Sequence, residues 1–117
     1  MGTVYLAHDP VVDRRIALKV LRLTLGGEVG EAARQRFLQE ARAAGRLSHP
    51  NIVTVFDMGE DPELGLAFIA MDYVEGQTLA AATAAGRRLT PAEATALVAT
   101  LAGALDYAHR KGVVHRD

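Results

Sequence analysis

A lysine and a glutamate in the first half of the chain stand where the surrounding pattern predicts apolar side chains. Lys19 is the only charged residue in the segment 16–21. On a β-strand, where side chains alternate between the two faces, it shares a face with Ala17 and Leu21. A charge on an apolar face needs a partner or a special use, so Lys19 is the first candidate for chemistry.

Glu40 holds a comparable position on a predicted helix over residues 31–47. Helical periodicity places it on an apolar stripe that consists of Ala33, Phe37, Ala44 and Leu47. A lone buried charge costs on the order of several kcal/mol, so two opposite charges on facing elements predict a pair. We expect the Lys19 ammonium and the Glu40 carboxylate to meet beneath the helix. The alternative is that Lys19 extends to solvent at a strand edge and Glu40 turns outward.

The elements that must position these residues are four strands with the helix over 31–47 between the second and third, followed by further helices. Short runs of β-forming residues predict strands over residues 3–8, 15–23, 52–58 and 66–71, and the first two are close enough to form a hairpin. The second half predicts a short helix over residues 78–85. A long helix follows, with Thr90, Pro91 and Glu93 as its capping box and Gly112 as its stop signal. This order predicts an α+β fold.

The composition excludes several classes of function. The chain has 117 residues, a net charge of −1, 50% hydrophobic residues and no cysteine. A thiolate nucleophile and a cysteine-ligated zinc site are therefore excluded. The charge balance does not favour a nucleic acid or an anionic membrane as partner, and no apolar run approaches the ~20 residues that cross a bilayer.

Six segments, in order along the chain, resemble the signature segments of bacterial eukaryotic-like (Hanks-type) serine/threonine protein kinases. Their order is more specific than any one of them, because short motifs recur by chance. The segments are Met-Gly-Thr-Val-Tyr at 1–5, Ile-Ala-Leu-Lys at 16–19, Arg-Phe-Leu-Gln-Glu-Ala at 36–41, His-Pro-Asn-Ile-Val at 49–53, Met-Asp-Tyr-Val-Glu-Gly at 71–76, and 107–117 with its terminal His-Arg-Asp. The resemblance covers essentially the whole chain. It implies a truncated protein-kinase-like fold: an antiparallel sheet with one helix, a hinge, and the first helices of an α-rich lobe.

The resemblance also implies an ATP site. Lys19 would hold the α- and β-phosphates and pair with Glu40. Gly2 would be the last glycine of the loop over the phosphates, although an ordinary turn glycine would look the same. By position, Val4 and Ala17 would roof the adenine, Met71 would be the gatekeeper, and the hinge residues Asp72 and Val74 would bind the adenine edge through their backbone. For the apolar members of this set, plain core packing is the alternative.

The last three residues resemble the start of the catalytic loop. Asp117 would orient the hydroxyl that attacks ATP and accept its proton late, while His115 and Arg116 would be structural. The alternative for Asp117 is a solvated acid at the end of the chain. The family's magnesium ligands would lie beyond residue 117, so ATP and Mg²⁺ are the expected cofactors but no metal ligand is expected in this segment. We therefore expect the 117-residue chain alone to be inactive.

The resemblance divides the chain into part of an ATP-binding lobe at 1–71, a hinge at 72–76 and the start of a catalytic lobe at 77–117. The expected partners are ATP and a protein substrate that carries serine or threonine. No nucleic-acid or membrane contact is expected from this segment. The kinase domain is expected to be cytoplasmic, and the resemblance leaves open a membrane anchor elsewhere in the parent protein.

Other classes of function stay open. A non-catalytic pseudokinase, or regulatory nucleotide-binding module, would lack the downstream magnesium aspartate of the D-F-G motif. A small-molecule phosphotransferase of related fold is a further possibility, against which the His-Pro-Asn-Ile-Val and His-Arg-Asp segments argue. A scaffold domain would bind no nucleotide at all.

Overall fold

The computed structural model describes residues 2–23 and 28–115 of the chain. The chain divides into two compact units, residues 1–73 and 74–117. The division falls inside the predicted hinge at 72–76.

The first unit contains a four-stranded antiparallel sheet. Its strands are β1 (Thr3–Asp9), β2 (Arg14–Arg22), β3 (Val55–Asp61) and β4 (Leu66–Asp72). They are arranged in the order β1-β2-β4-β3, so β2 and β4 are central and β1 and β3 form the edges. All pairs are antiparallel, and the β3–β4 pair has a register shift between Val55 and Asp57. The predicted fold class, an antiparallel sheet with one helix followed by further helices, is confirmed.

The turn between β1 and β2 is held by local polar contacts. The carboxylate of Asp9 accepts a hydrogen bond from the Val11 amide at 3.0 Å. Asp13 has a positive φ of 50°, a conformation that aspartate tolerates better than most residues. Its carboxylate lies 2.8 Å from Nε2 of His8. These contacts close the predicted hairpin.

One helix, α1 (Glu28–Ala44), packs against the sheet. It begins and ends three residues before the predicted bounds of 31 and 47. Its buried side chains Phe37 and Ala41, four residues apart, lie on Ala67 and Ile69 of β4. Partly buried apolar side chains surround this core: Leu21, Leu23, Leu38, Val55 and Met58.

A charged contact fixes the first half of α1 to the edge of the sheet. The guanidinium of Arg34 donates two hydrogen bonds to the Glu60 carboxylate on β3, from Nε at 2.5 Å and from Nη2 at 2.8 Å. Nη1 of Arg34 also donates to Glu31 at 2.8 Å. The hydrogen bond from Arg34 holds the pKa of Glu60 below its usual value. The helix is thus joined to β3 by a two-point contact as well as by its apolar face.

The second unit contains two helices, α2 (Leu79–Ala84) and α3 (Pro91–Arg110). The predicted capping box of α3 is confirmed. The Glu93 amide donates to Oγ1 of Thr90 at 3.2 Å, and the Thr90 amide donates to the Glu93 carboxylate at 2.9 Å. The hydrogen bond from the Thr90 backbone lowers the pKa of Glu93. The chain leaves the helix through Gly112, whose φ of 77° matches the predicted left-handed stop.

Helix α3 buries two of its alanines and leaves larger apolar side chains exposed. Ala104 and Ala108 are buried, whereas Leu101 and Leu105 remain 49% and 42% exposed. Val98, which is three residues before Leu101, is exposed as well. In the part of the chain that the structure describes, no helix combines the length and apolar character needed to cross a membrane.

Candidate functional site

Strand register brings four of the predicted site residues to one face of the sheet. Val4 on β1 pairs with Lys19 on β2, and Ala17 on β2 pairs with Met71 on β4. Directly paired residues point to the same side, and so do residues two apart on one strand. Lys19 also pairs with Ile69, which packs beneath α1. The four residues therefore lie on the helix-bearing face of the sheet.

This face is apolar and partly open to solvent. Val4 is 57% exposed, while Ala17 and Met71 are half-buried. Leu6, which pairs with Ala17, is exposed as well. An apolar surface of this kind, with one cation beside it, suits a flat apolar group that carries negative charge nearby.

Gly2 stands immediately before β1 and has a conformation that favours glycine. Its φ is 123°, and a Cβ built on it would lie 2.6 Å from the carbonyl oxygen of Val20. Because real Cβ atoms do not approach an oxygen so closely, the local backbone requires glycine here. Packing against β2 thus accounts for Gly2, and a role beside a phosphate stays a prediction.

The ammonium of Lys19 lies over an aromatic ring. Its Nζ is 5.7 Å from the centroid of Phe37 on α1, within the range of a cation–π contact. The lysine is half-buried. Lys19 thus lies beside the helix, but its partner there is a ring and not the predicted carboxylate.

Glu40 does not meet Lys19 in this structure. Glu40 is exposed to solvent. Among the described residues, the ion pairs within 4.0 Å do not include one between Lys19 and Glu40. The predicted pair beneath the helix is therefore wrong for this conformation. Of the alternative, only the outward turn of Glu40 is observed, because Lys19 lies over Phe37 rather than at a strand edge. The catalytic role of Glu40 stays a prediction.

The geometry of the helix explains the error. The buried ridge of α1 runs through Phe37 and Ala41. At about 100° per residue, Glu40 lies roughly 60° from Phe37 and 100° from Ala41 around the axis. It is consequently on the flank of the buried stripe, where a long carboxylate side chain reaches water. The sequence pattern centred the stripe on Glu40 because Ala41 was not counted in it.

Asp72, at the end of β4, is held by a residue that the sequence pattern did not single out. Its carboxylate accepts a hydrogen bond from the Thr54 amide at 3.1 Å, and its own amide donates to the Thr54 carbonyl at 2.9 Å. This double contact fixes the backbone where the predicted hinge begins. An aspartate at a strand end is a frequent acceptor for a backbone amide, but sequence alone does not identify the donor. In the second unit, Val74 is exposed.

The predicted catalytic loop is described only at its first residue. His115 is exposed, and its expected structural role stays a prediction. Arg116 and Asp117 lie outside the described residues, and their predicted roles are not tested. Within residues 2–23 and 28–115, no cluster of three or more His, Cys, Asp or Glu side chains is arranged to hold a metal ion.

The chain matches one protein family over its whole length. Residues 1–117 match the protein kinase domain. The serine/threonine-protein kinase PrkC of Bacillus subtilis is 41% identical over 117 residues, which are 100% of this chain and 17% of that protein. The serine/threonine-protein kinase PknJ of Mycobacterium tuberculosis is 44% identical over the whole chain and 19% of its own length. The chain thus spans about a fifth of the curated relatives that it matches.

Solved structures give the same family. The kinase domain of Mycobacterium tuberculosis PknI superposes with a TM-score of 0.79 at 42% identity, covering 100% of this chain and 46% of that one. The apo form of PpkA-294 superposes with a TM-score of 0.78 at 30% identity, covering 99% of this chain and 47% of that one. Since the segments that carry the resemblance, the sheet and the sequence identity all agree, the chain belongs to the protein kinase domain family, among its bacterial serine/threonine members.

Proposed function

We propose that the protein containing this chain is an ATP-dependent serine/threonine protein kinase. In this proposal residues 1–71 belong to its ATP-binding lobe, 72–76 form its hinge and 77–117 begin its catalytic lobe. The observation that carries the proposal is the register that aligns Val4, Ala17, Lys19 and Met71 on one face of the sheet. In a kinase this face holds ATP, and the family match extends over the same residues.

The chemistry of the face suits a nucleotide. Val4 and Ala17 offer apolar contact to a flat base, and Met71 closes the same face one strand further along. Lys19 carries the positive charge for the phosphates. Its contact with Phe37 contributes only about 0.5–1 kcal/mol at a site with access to water, whereas hydrogen bonds to a phosphate are charge-assisted and stronger. An arriving triphosphate therefore displaces the ring as the partner of Lys19.

Phosphoryl transfer also requires the pairing of Lys19 with Glu40. In protein kinases that ion pair forms part of the active arrangement. Because Glu40 is exposed here, the proposal includes a movement of α1 that brings its carboxylate to the lysine. Asp117 is proposed to orient the substrate hydroxyl. Mg²⁺ neutralises the phosphate charge in this family, and we assign its ligands to the sequence beyond residue 117, as the resemblance does.

Substitution of Lys19 in the full-length protein tests the proposal. Lys19→Met should lower phosphate transfer to protein serine or threonine by roughly 10²-fold or more, because a preorganised cation beside the phosphates is lost. Lys111 is the matched control, since it is a lysine on the second unit whose ammonium lies near its own helix, 5.9 Å from the ring of Tyr107. Lys111→Met should leave the rate unchanged. Full activity of the Lys19→Met protein would overturn the assignment.

A second function has one observation in its favour. The absence of a Lys19–Glu40 ion pair among the described residues is what a non-catalytic nucleotide-binding module would display. Such a module would bind ATP, measured by titration of a fluorescent ATP analogue, without transferring phosphate to any protein. The two functions are separated by measuring binding and transfer on the same full-length preparation.

A further inference from the structure

The contact between Arg34 and Glu60 links α1 to strand β3. Arg34 binds both carboxylate oxygens of Glu60 side-on, through Nε and Nη2, which gives the contact a defined geometry. The side chains are 34% and 28% exposed, so the pair is partly shielded from water. We refer to this two-point contact as the Arg34–Glu60 clamp. It favours a rotation of the helix that keeps the Arg34 flank against β3.

Arg34 and Glu40 lie on opposite flanks of the buried ridge. Measured around the helix axis, Arg34 is roughly 60° to one side of Phe37 and Glu40 is roughly 60° to the other. Phe37 and Ala41 form the ridge itself, which rests on β4. A rotation that presses one flank onto the sheet therefore lifts the other flank away from it.

The strand order places the two candidate partners on opposite sides of the same ridge. Strand β4 lies between β3, which carries Glu60, and β2, which carries Lys19. The clamp draws α1 towards β3, whereas a Lys19–Glu40 pair would draw it towards β2. Along the ridge itself Phe37 is flanked by the small residues Ala33, Ala41 and Ala44, while Leu38 packs against the core on the flank of Arg34.

We propose that Arg34 is a positioning residue of this kinase: the Arg34–Glu60 clamp holds α1 rolled towards β3 with Glu40 in solvent, and release of the clamp allows Glu40 to pair with Lys19. The proposal rests on the proposed kinase function, because only there does the Lys19–Glu40 pair matter for catalysis. Arg34 itself touches neither ATP nor substrate. It acts through the helix that carries Glu40.

The first test compares initial rates of peptide phosphorylation by full-length proteins. Arg34→Gln and Glu60→Gln each remove the clamp and should each raise kcat about fivefold or more, a coupling typical of a two-state element. The double variant should do no more than either single one, because both remove one contact. Glu31→Gln is the control: it removes the contact of Arg34 within its own helix and leaves the clamp, so kcat should not change.

Dependence on Glu40 separates positioning from a merely structural role. In a Glu40→Gln background, Arg34→Gln should no longer raise kcat, since no carboxylate remains to reach Lys19. Heteronuclear NMR of the lysine ammonium groups gives a readout that needs no catalysis. Release of the clamp should slow hydrogen exchange at the Lys19 ammonium, because it gains a carboxylate partner, while the Lys111 signal serves as an internal reference.

Several results would overturn the proposal. One is an active wild-type protein in which Glu60→Gln, with an unchanged unfolding midpoint, leaves kcat unchanged or lowers it. Another is a rise in kcat that persists without Glu40. If the wild-type protein transfers no phosphate, the proposed function fails, and the Lys19 ammonium signal still decides whether the clamp opposes the pair: an unchanged signal in both Gln variants refutes it.

Discussion

The Lys19 ammonium lies 5.7 Å from the centre of the Phe37 ring, one helical turn before Glu40. Strand β2 and helix α1 are thereby connected by a cation–π contact and not by an ion pair. The contact keeps the ammonium half-buried and close to the helix. It also leaves the lysine available, because a ring is a weaker partner than a carboxylate or a phosphate.

The first prediction concerns this contact. Phe37→Leu keeps an apolar side chain in the core but removes the ring face, and we expect it to lower the free energy of unfolding by about 1–2 kcal/mol. A double-mutant cycle with Lys19→Met should assign about 0.5–1 kcal/mol of that loss to the contact itself. Chemical denaturation of the kinase domain measures each term.

The comparison residue for this cycle is Phe56, whose ring lies 3.5 Å from the guanidinium carbon of Arg14. Phe56→Leu also removes a ring beneath a cation but leaves Lys19 untouched. Its effect should add to that of Lys19→Met without coupling. Equal coupling energies in both cycles would show that the Lys19–Phe37 contact contributes no specific stabilisation.

The second prediction concerns the start of β1. Gly2→Ala places a methyl group 2.6 Å from the Val20 carbonyl oxygen, so the strands must separate locally. We expect a loss of about 1–3 kcal/mol in the free energy of unfolding, from the clash together with the positive φ. The measurement is thermal unfolding of the kinase domain, with hydrogen exchange of the β1 amides as a local readout.

Gly76→Ala is the matched control for this substitution. Gly76 also has a positive φ, of 127°, but nothing lies within 4 Å of its Cβ position. It therefore carries a comparable backbone strain without the clash. If both substitutions cost the same, the close approach to Val20 has no influence and the positive φ alone explains the requirement for glycine.

The third prediction concerns the first turn of α3. Thr90→Ala removes the acceptor of the Glu93 amide and should cost about 1 kcal/mol of helix stability. Thr95→Ala is the control, because the Thr95 hydroxyl donates a hydrogen bond to the Pro91 carbonyl within the helix and caps no free amide. That change should be neutral or slightly stabilising, since alanine is the better helix former. Circular dichroism during thermal unfolding checks both.

The same capping box gives a pH dependence with a defined sign. The pKa of Glu93 is lowered in the folded protein, chiefly by the hydrogen bond from the Thr90 backbone. The stability that it contributes is therefore present above the unfolded pKa and is lost as the pH falls through the folded pKa. Glu93→Gln should flatten the decline of the unfolding midpoint between about pH 5 and pH 3. A decline as steep as that of the wild type would contradict this role.

Much of the fold could be predicted from local patterns. Strands β1, β2 and β4 follow runs of β-forming residues, and the start of α3 follows its capping box. The sequence pattern predicts the third strand at residues 52–58, whereas β3 is observed at Val55–Asp61. Glu60 and Asp61 are poor strand formers, yet they pair with Ala67 and Leu66 of β4, so tertiary pairing overrides propensity there.

The sequence predicts which residues belong to the candidate site better than it predicts which of them are in contact. The family resemblance placed Val4, Ala17 and Met71, and the register confirms that they share a face with Lys19. Helical periodicity placed Glu40 too close to the centre of the buried stripe. The clamp could not be predicted, because Arg34 and Glu60 are 26 residues apart and each resembles an ordinary surface charge in sequence.

The position of β1 at the end of the strand order has a consequence for handling the protein. No strand among the described residues pairs with its outer side, where backbone amides and carbonyls point away from β2. Val4, Tyr5 and Leu6 of this strand are exposed. The strand contains no lysine, the residue that often prevents edge strands from pairing with another chain. A second copy can therefore add its own strand there, and the 117-residue chain in isolation is expected to assemble edge to edge as its concentration rises.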